Sequence, residues 1–206
     1  MSCAKCNIQA CRTGKKPPAN CPMNTMSDLF NDALKLYSNH KKDIARIAAK
    51  VEKEGYAIWP RIREFAEFCK ALEVKRVGIA FCMGLTDVAR HVVEYLERLG
   101  FEVFSVACKC GAIDKALILG EDVKMRPGGF EPMCNPIAQA LILNKLNTEV
   151  NGVIGLCVGH DALFYMHSNA PVVTLIVKDR VTGHNPAAAI YARNYFTKRL
   201  YDTKSS

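Results

Sequence analysis

No stretch of eighteen apolar residues occurs in this chain, so an ordinary membrane-spanning helix is not expected. Neither a GxGxxG nor a Walker A sequence is present, which leaves dinucleotide and nucleoside-triphosphate binding without support. Aromatics are few, 8% of residues with a single tryptophan, and no aromatic-and-basic stripe, helix-turn-helix or finger signature marks a nucleic-acid groove. Acidic residues are the minority: 28 Lys and Arg against 20 Asp and Glu give a net charge of +8. The basic residues are spread along the chain, so this excess reads as a solvated surface. The first residues include cysteines where a signal peptide would need an apolar segment. The expectation is a cytoplasmic protein with neither a membrane nor a nucleic-acid partner.

What the chain has is cysteine. Ten occur in 206 residues, of which 50% are hydrophobic and 23% charged. The length suits one sizeable domain with a small appendage. In a reducing compartment, ten thiols point to metal binding or redox chemistry rather than to a disulfide framework.

Residues 1–26 read as the appendage, with the remainder, 27–206, as the main domain. Cys3, Cys6, Cys11 and Cys21 are spaced Cys-x2-Cys-x4-Cys-x9-Cys, with Pro22 after the last. The segment has too few large apolar residues to bury a core, and a tetrathiolate site would supply the missing folding energy. Zinc and an iron–sulfur cluster both accept four thiolates, and the spacing does not choose between them.

Residues 27–72 carry apolar residues at helical spacing, in Asp28–Tyr37, Asp43–Glu54 and a run opened by Pro60. Cys69 falls on the apolar stripe of the last and reads as a core thiol. From residue 74 strands and helices alternate. Strands are predicted at 75–81, 102–107, 150–156 and 172–177, with helices over 85–99, 136–146, 161–166 and 187–201. Asn135 and Asn185, each followed by proline, mark two helix starts. Ahead of the first, residues 112–133 form an irregular stretch with the character of a site loop. The fold expected is a three-layer α/β domain, Rossmann- or flavodoxin-like, with an N-terminal helical layer and about four parallel strands ordered 2-1-3-4.

Ligands of such sheets bind beyond the carboxyl ends of the strands. Cys82, Cys108, Cys110, Cys134 and Cys157 all fall at strand ends or in the loops that leave them. Cys82 and Cys157 each begin a Cys-x-Gly turn, and Cys134 lies just before a helix start, where the helix dipole favours a thiolate. Four of the five would complete a metal or cluster site, a 4Fe–4S cluster being favoured and zinc the alternative. The plain alternative is that strand-end cysteines are simply small buried residues. His160, His184 and Lys178 are the candidates for proton transfer and for holding a small anionic molecule beside the metal.

The segments AFCMGL, CKCG, MCNPIAQA, GLCVGHDALF and APVVTLIVKDRVTGHNPAAA resemble the family labelled domain of unknown function 1847. The N-terminal cysteines look like that family's as well. The resemblance implies metal binding and supplies no reaction. Three functions follow. The first is a metalloprotein with an iron–sulfur cluster at the sheet face, carrying out redox or lyase-type catalysis with a small anion or an electron-transfer protein as partner. The second is a zinc-dependent sensor or interaction module without catalysis. The third is a thiol–disulfide enzyme using Cys108 and Cys110. The sequence leaves the oligomeric state open.

Overall fold

The computed structural model describes residues 2–38 and 40–201. Two compact units emerge, Met1–Lys50 and Val51–Ser206. Their boundary falls inside a helix rather than at residue 26, so the first helices group with the cysteine-rich segment.

In the first unit, short turns carry the thiols: a 3-10 turn at Cys3–Lys5, α1 at Ala10–Thr13 and α2 at Pro22–Thr25. Helices α3 (Ser27–Leu36) and α4 (His40–Gly55) follow. Among the described residues up to Lys50, Ala10 is the one buried side chain, while Leu29, Phe30, Leu34 and Leu36 of α3 are exposed. A full burial of each such residue would contribute roughly 1.5–3 kcal/mol, and this unit gains little of it.

The second unit is built on a sheet. After α5 (Arg61–Ala71) the order is β1 (Arg76–Phe81), α6 (Thr86–Arg98), β2 (Glu102–Ala107), α7 (Lys115–Leu119), α8 (Pro136–Lys145), β3 (Val150–Ile154), α9 (His160–His167), β4 (Val172–Ile176), α10 (Ala187–Tyr191) and α11 (Arg193–Tyr201). All strand pairs are parallel and the order is β2-β1-β3-β4, as the alternation predicts.

Strand alternation divides the core in two. Val77, Ile79, Val150 and Ile154 face one side, where Phe65 and Cys69 of α5 and Ala89, Val92 and Leu96 of α6 complete a cluster. Ala80 and Val153 face the other, against Ala140 and Leu143 of α8 and Phe164 of α9. Helices thus cover both faces, which explains why β1 and β3 read as near-continuous apolar runs, interrupted in β3 by Asn151. Cys69 is fully buried, and desolvation pushes its thiol up to about 12, as suits a core residue.

Two glycines make the layers fit. A Cβ at Gly78 would lie 2.0 Å from Oδ1 of Asn151, and one at Gly152 would lie 2.8 Å from Leu175. The buried Asn151 is held in turn by Thr148 Oγ1 at 2.8 Å and Ser168 Oγ at 2.9 Å.

The two Asn-Pro starts differ. Asn135 caps α8, its side chain accepting the Ala138 N–H at 3.0 Å. The second start moves on by one residue: Pro186 precedes α10, without a side-chain cap.

Candidate thiol site at the carboxyl end of the sheet

Strand order reverses direction between β1 and β3, since the chain leaves β1 for β2 on one side and returns to β3 on the other. The crevice at the carboxyl ends of these two strands is where such sheets hold ligands. Cys82 directly follows β1 and donates its N–H to the Ile154 carbonyl at 3.0 Å. Its own carbonyl accepts from Leu85, closing a 3-10 turn at Met83–Leu85. Cys157 lies three residues beyond β3, and its carbonyl closes the first turn of α9 by accepting from His160 and Asp161.

The backbone brings the next two thiols together. Cys108 pairs its N–H with the Phe81 carbonyl at 2.8 Å, and Asn135 donates to the Cys108 carbonyl at 2.8 Å. This second bond carries the start of α8 back to the end of β2. The sulfurs of Cys108 and Cys134 consequently lie 3.9 Å apart, and the Met83 N–H points at Cys108 Sγ from 3.4 Å. Cys110 packs against the same buried cluster, which also contains Cys82 and Cys108.

The contact sets the two thiols apart in acidity. The hydrogen bond between the two sulfurs draws the Cys134 thiol down from 9.0 to about 5; partial burial opposes this, while Lys109 and His160 reinforce it. The same bond, joined by burial, raises Cys108. Cys134 is therefore the thiolate of the pair at neutral pH.

Cations ring the sulfurs. Arg180 donates from Nη2 to Cys157 Sγ at 3.2 Å; this bond raises the guanidinium, which also feels Cys82 and Cys134. Lys178 approaches from the same loop: a Cβ at Gly84 would lie 3.2 Å from its Nζ and 3.9 Å from Cys82 Sγ. Lys109 reaches both the Pro132 carbonyl and Cys134.

Below the sulfurs, Gln139 is wholly buried and its Nε2 donates to the carbonyls of Phe81 and Val106, at the ends of β1 and β2. Its Oε1 has no hydrogen-bond partner, leaving a buried acceptor beside the site.

Of the residues expected from sequence, His160 and Lys178 thus stand among the thiols. His184 has a different setting. Its Nδ1 accepts the Asp179 N–H at 3.1 Å and its own N–H returns to the Asp179 carbonyl at 2.8 Å. With φ at 71°, it closes the turn that presents Arg180.

Arg180, Lys109 and Gln139 are the participants that sequence reasoning missed. Lys109 carries a signal in standing between two cysteines, and Gln139 in being a polar residue inside the apolar run PIAQALIL.

The loop expected over residues 112–133 is partly ordered. Lys124, buried, is gripped by Asp114 at 2.9 Å, Glu121 at 2.8 Å and the Gly129 carbonyl at 2.8 Å, while Lys115 pairs with Glu131.

In the N-terminal unit, Cys3, Cys6 and Cys21 line one cavity of about 510 Å³; Cys11 is exposed on α1. Among the described residues, no three His, Cys, Asp or Glu side chains are already gathered at metal-binding geometry. None of the described helices is long and apolar enough to cross a membrane.

A parallel α/β sheet with thiols at its switch point defines the class. The chain belongs to the family described as protein of unknown function (DUF1847), which matches residues 21–175. That match begins at Cys21 and leaves Cys3, Cys6 and Cys11 outside it. A relative from Methanocaldococcus jannaschii, the uncharacterised protein MJ0455, is 42% identical over 205 residues, spanning 99% of this chain and 100% of its own length. No solved structure matches.

Proposed function

We propose that this protein binds a metal centre, an iron–sulfur cluster or zinc, on the thiolates at the carboxyl end of its sheet. The observation that carries the reading is the spacing of Cys108 and Cys134. Two thiolates on one tetrahedral metal, each bonded at about 2.3 Å, lie about 3.8 Å apart, and these sulfurs stand at 3.9 Å, a spacing that suits zinc or one iron of a two-iron cluster, since each iron of a 4Fe–4S cluster takes a single cysteine. Further ligands would come from Cys82, Cys110 and Cys157.

The surroundings fit the negative charge of such a centre. Arg180, Lys178 and Lys109 supply compensating cations near the sulfurs. The Met83 N–H already donates to a sulfur, and the amino end of α8 favours anions. These cations suit an anionic tetrathiolate centre of either kind, since a cluster's irons offset the charge of its bridging sulfides. A cluster would supply electron transfer or Lewis-acid chemistry. The chain's own part is to position the sulfurs, exclude water from the Cys82–Cys108 side and hold a small anion on Lys178 or Arg180. His160, half-buried at the start of α9, is placed to move a proton.

Cys3, Cys6, Cys11 and Cys21 form a second metal site in this reading, zinc or a cluster. Its support is the near-absence of a core in the first unit. All ten cysteines are free, in keeping with a reducing cytoplasmic setting.

The test is anaerobic purification followed by iron, sulfide and zinc analysis of the unaltered chain, Cys134→Ser and Cys157→Ser. Bound metal that is lost from the sheet site in both variants supports the reading. Full metal content in both removes the sheet face as a ligand set. Zinc without sulfide would select the non-catalytic sensor alternative.

A further inference from the structure

We infer that Cys108 and Cys134 form a dithiol pair that undergoes reversible exchange with small disulfides of the glutathione type. The geometry is local and specific. The Asn135 N–H bond to the Cys108 carbonyl sets two backbones side by side. The sulfurs, at 3.9 Å, need only side-chain rotation to reach bonding distance, about 2.0 Å. Cys110 is two residues from Cys108, but the sulfur that Cys108 contacts is that of Cys134. The geometry thus moves thiol–disulfide chemistry from the adjacent Cys108–Cys110 pair to two cysteines on different loops.

Access assigns the roles. Cys134 is half-buried and Cys108 is 3% exposed, so Cys134 meets the incoming disulfide. Its sulfur attacks one sulfur of RSSR; the S–S bond breaks, RS⁻ leaves with the electron pair, and a mixed disulfide forms on Cys134. Cys108, beneath it, loses its proton and attacks Cys134 Sγ. The second RS⁻ departs, and the two RS⁻ groups take up protons. The protein pair is oxidised by two electrons, and one RSSR is reduced to two RSH. Where the metal reading of the previous section holds, the same step withdraws two ligands, so oxidation releases the metal.

The sequence makes the test direct. Trypsin cuts after Lys109 and Lys124, and Arg126 is protected by Pro127, so Cys108, Cys110 and Cys134 fall on three different peptides. The full-length chain, purified anaerobically, is treated with oxidised glutathione with and without a chelator, quenched with iodoacetamide and mapped by mass spectrometry. Released metal is measured in the same samples. The expected result is a 99–109 peptide joined to the 125–145 peptide, one link per chain, reversed by dithiothreitol, absent in Cys134→Ser and retained in Cys110→Ser. If Cys108 and Cys134 both remain alkylatable in both conditions, or if the link joins Cys108 to Cys110, the inference is overturned. The map uses the unaltered chain, so the result does not depend on a variant folding. The metal assay keeps the two readings apart: a chain isolated without metal refutes the metal centre, while the peptide map still decides the exchange.

Discussion

The contact between Cys108 and Cys134 sets what each thiol can do. With its thiol lowered beside Cys108, Cys134 holds a thiolate at a pH where an unperturbed cysteine is protonated. In metal-free chain, alkylation of Cys134 should therefore stay fast as pH is lowered, falling only as the medium approaches about 5. Alkylation of Cys108 should be slow throughout, because its thiol is raised and buried. The check is the iodoacetamide rate at each cysteine against pH, read by peptide mass. Equal profiles for the two would deny the difference in acidity. The sign follows from the chemistry: a lowered thiol pKa extends the thiolate to more acid pH, and removing the partner thiol in Cys108→Ala should shift the Cys134 profile back toward the ordinary thiol value of 9.0. The identity of the five sheet-end thiols was legible in the sequence, since strand-end cysteines can be counted. Which two would meet was not, because the Asn135–Cys108 backbone bond depends on how the loop over residues 112–133 folds back. Arg180 was invisible for a related reason: its aim depends on the Asp179–His184 turn, and no local pattern encodes it.

At the scale of elements, the sheet was the most readable part. Two-sided burial makes β1 and β3 near-continuous apolar runs, with Asn151 the exception in β3, and helices between successive strands force parallel pairing. The predicted Cys82–Cys157 equivalence holds less well. Cys82 follows its strand at once, whereas Gly155 and Leu156 intervene before Cys157. Gly155 is the reason the two turns can share one crevice. It sits at φ 63°, and a Cβ there would lie 2.2 Å from Leu85 Cδ1, in the turn that follows Cys82. Gly155→Ala should thus cost roughly 1–3 kcal/mol from overpacking and left-handed strain together. The measurement is the urea midpoint, with metal content of the folded fraction read in parallel. If Leu85 is forced aside, Cys82 moves with it, and any metal held under the proposed function should be retained less well; an unchanged midpoint would show that the turn adapts freely.

The molecule as a whole joins a unit with a two-sided core to one with almost none. In Val51–Ser206 the sheet buries large side chains on both faces, so this unit has hydrophobic stabilisation of its own. In Met1–Lys50, Ala10 is the buried side chain among the described residues, and α3 leaves its large apolar residues exposed. A chain so poor in burial cannot offset its conformational entropy, about 1–2 kcal/mol per ordered residue, by the hydrophobic effect alone. Three thiols around one cavity are the remaining candidate source of stability, through a bound metal. The two units should therefore respond differently to loss of ligands. Cys6→Ser, or treatment with a strong chelator, should open residues 1–26 to cleavage after Arg12 and Lys15, Lys16 being protected by Pro17, while the sheet keeps its cooperative thermal transition. Limited trypsin digestion beside circular dichroism reads both at once. Unchanged cleavage after Arg12 and Lys15 would mean that the N-terminal fold does not rest on its thiols. Loss of the main transition together with the N-terminal segment would mean that the sheet unit depends on that segment to stay folded.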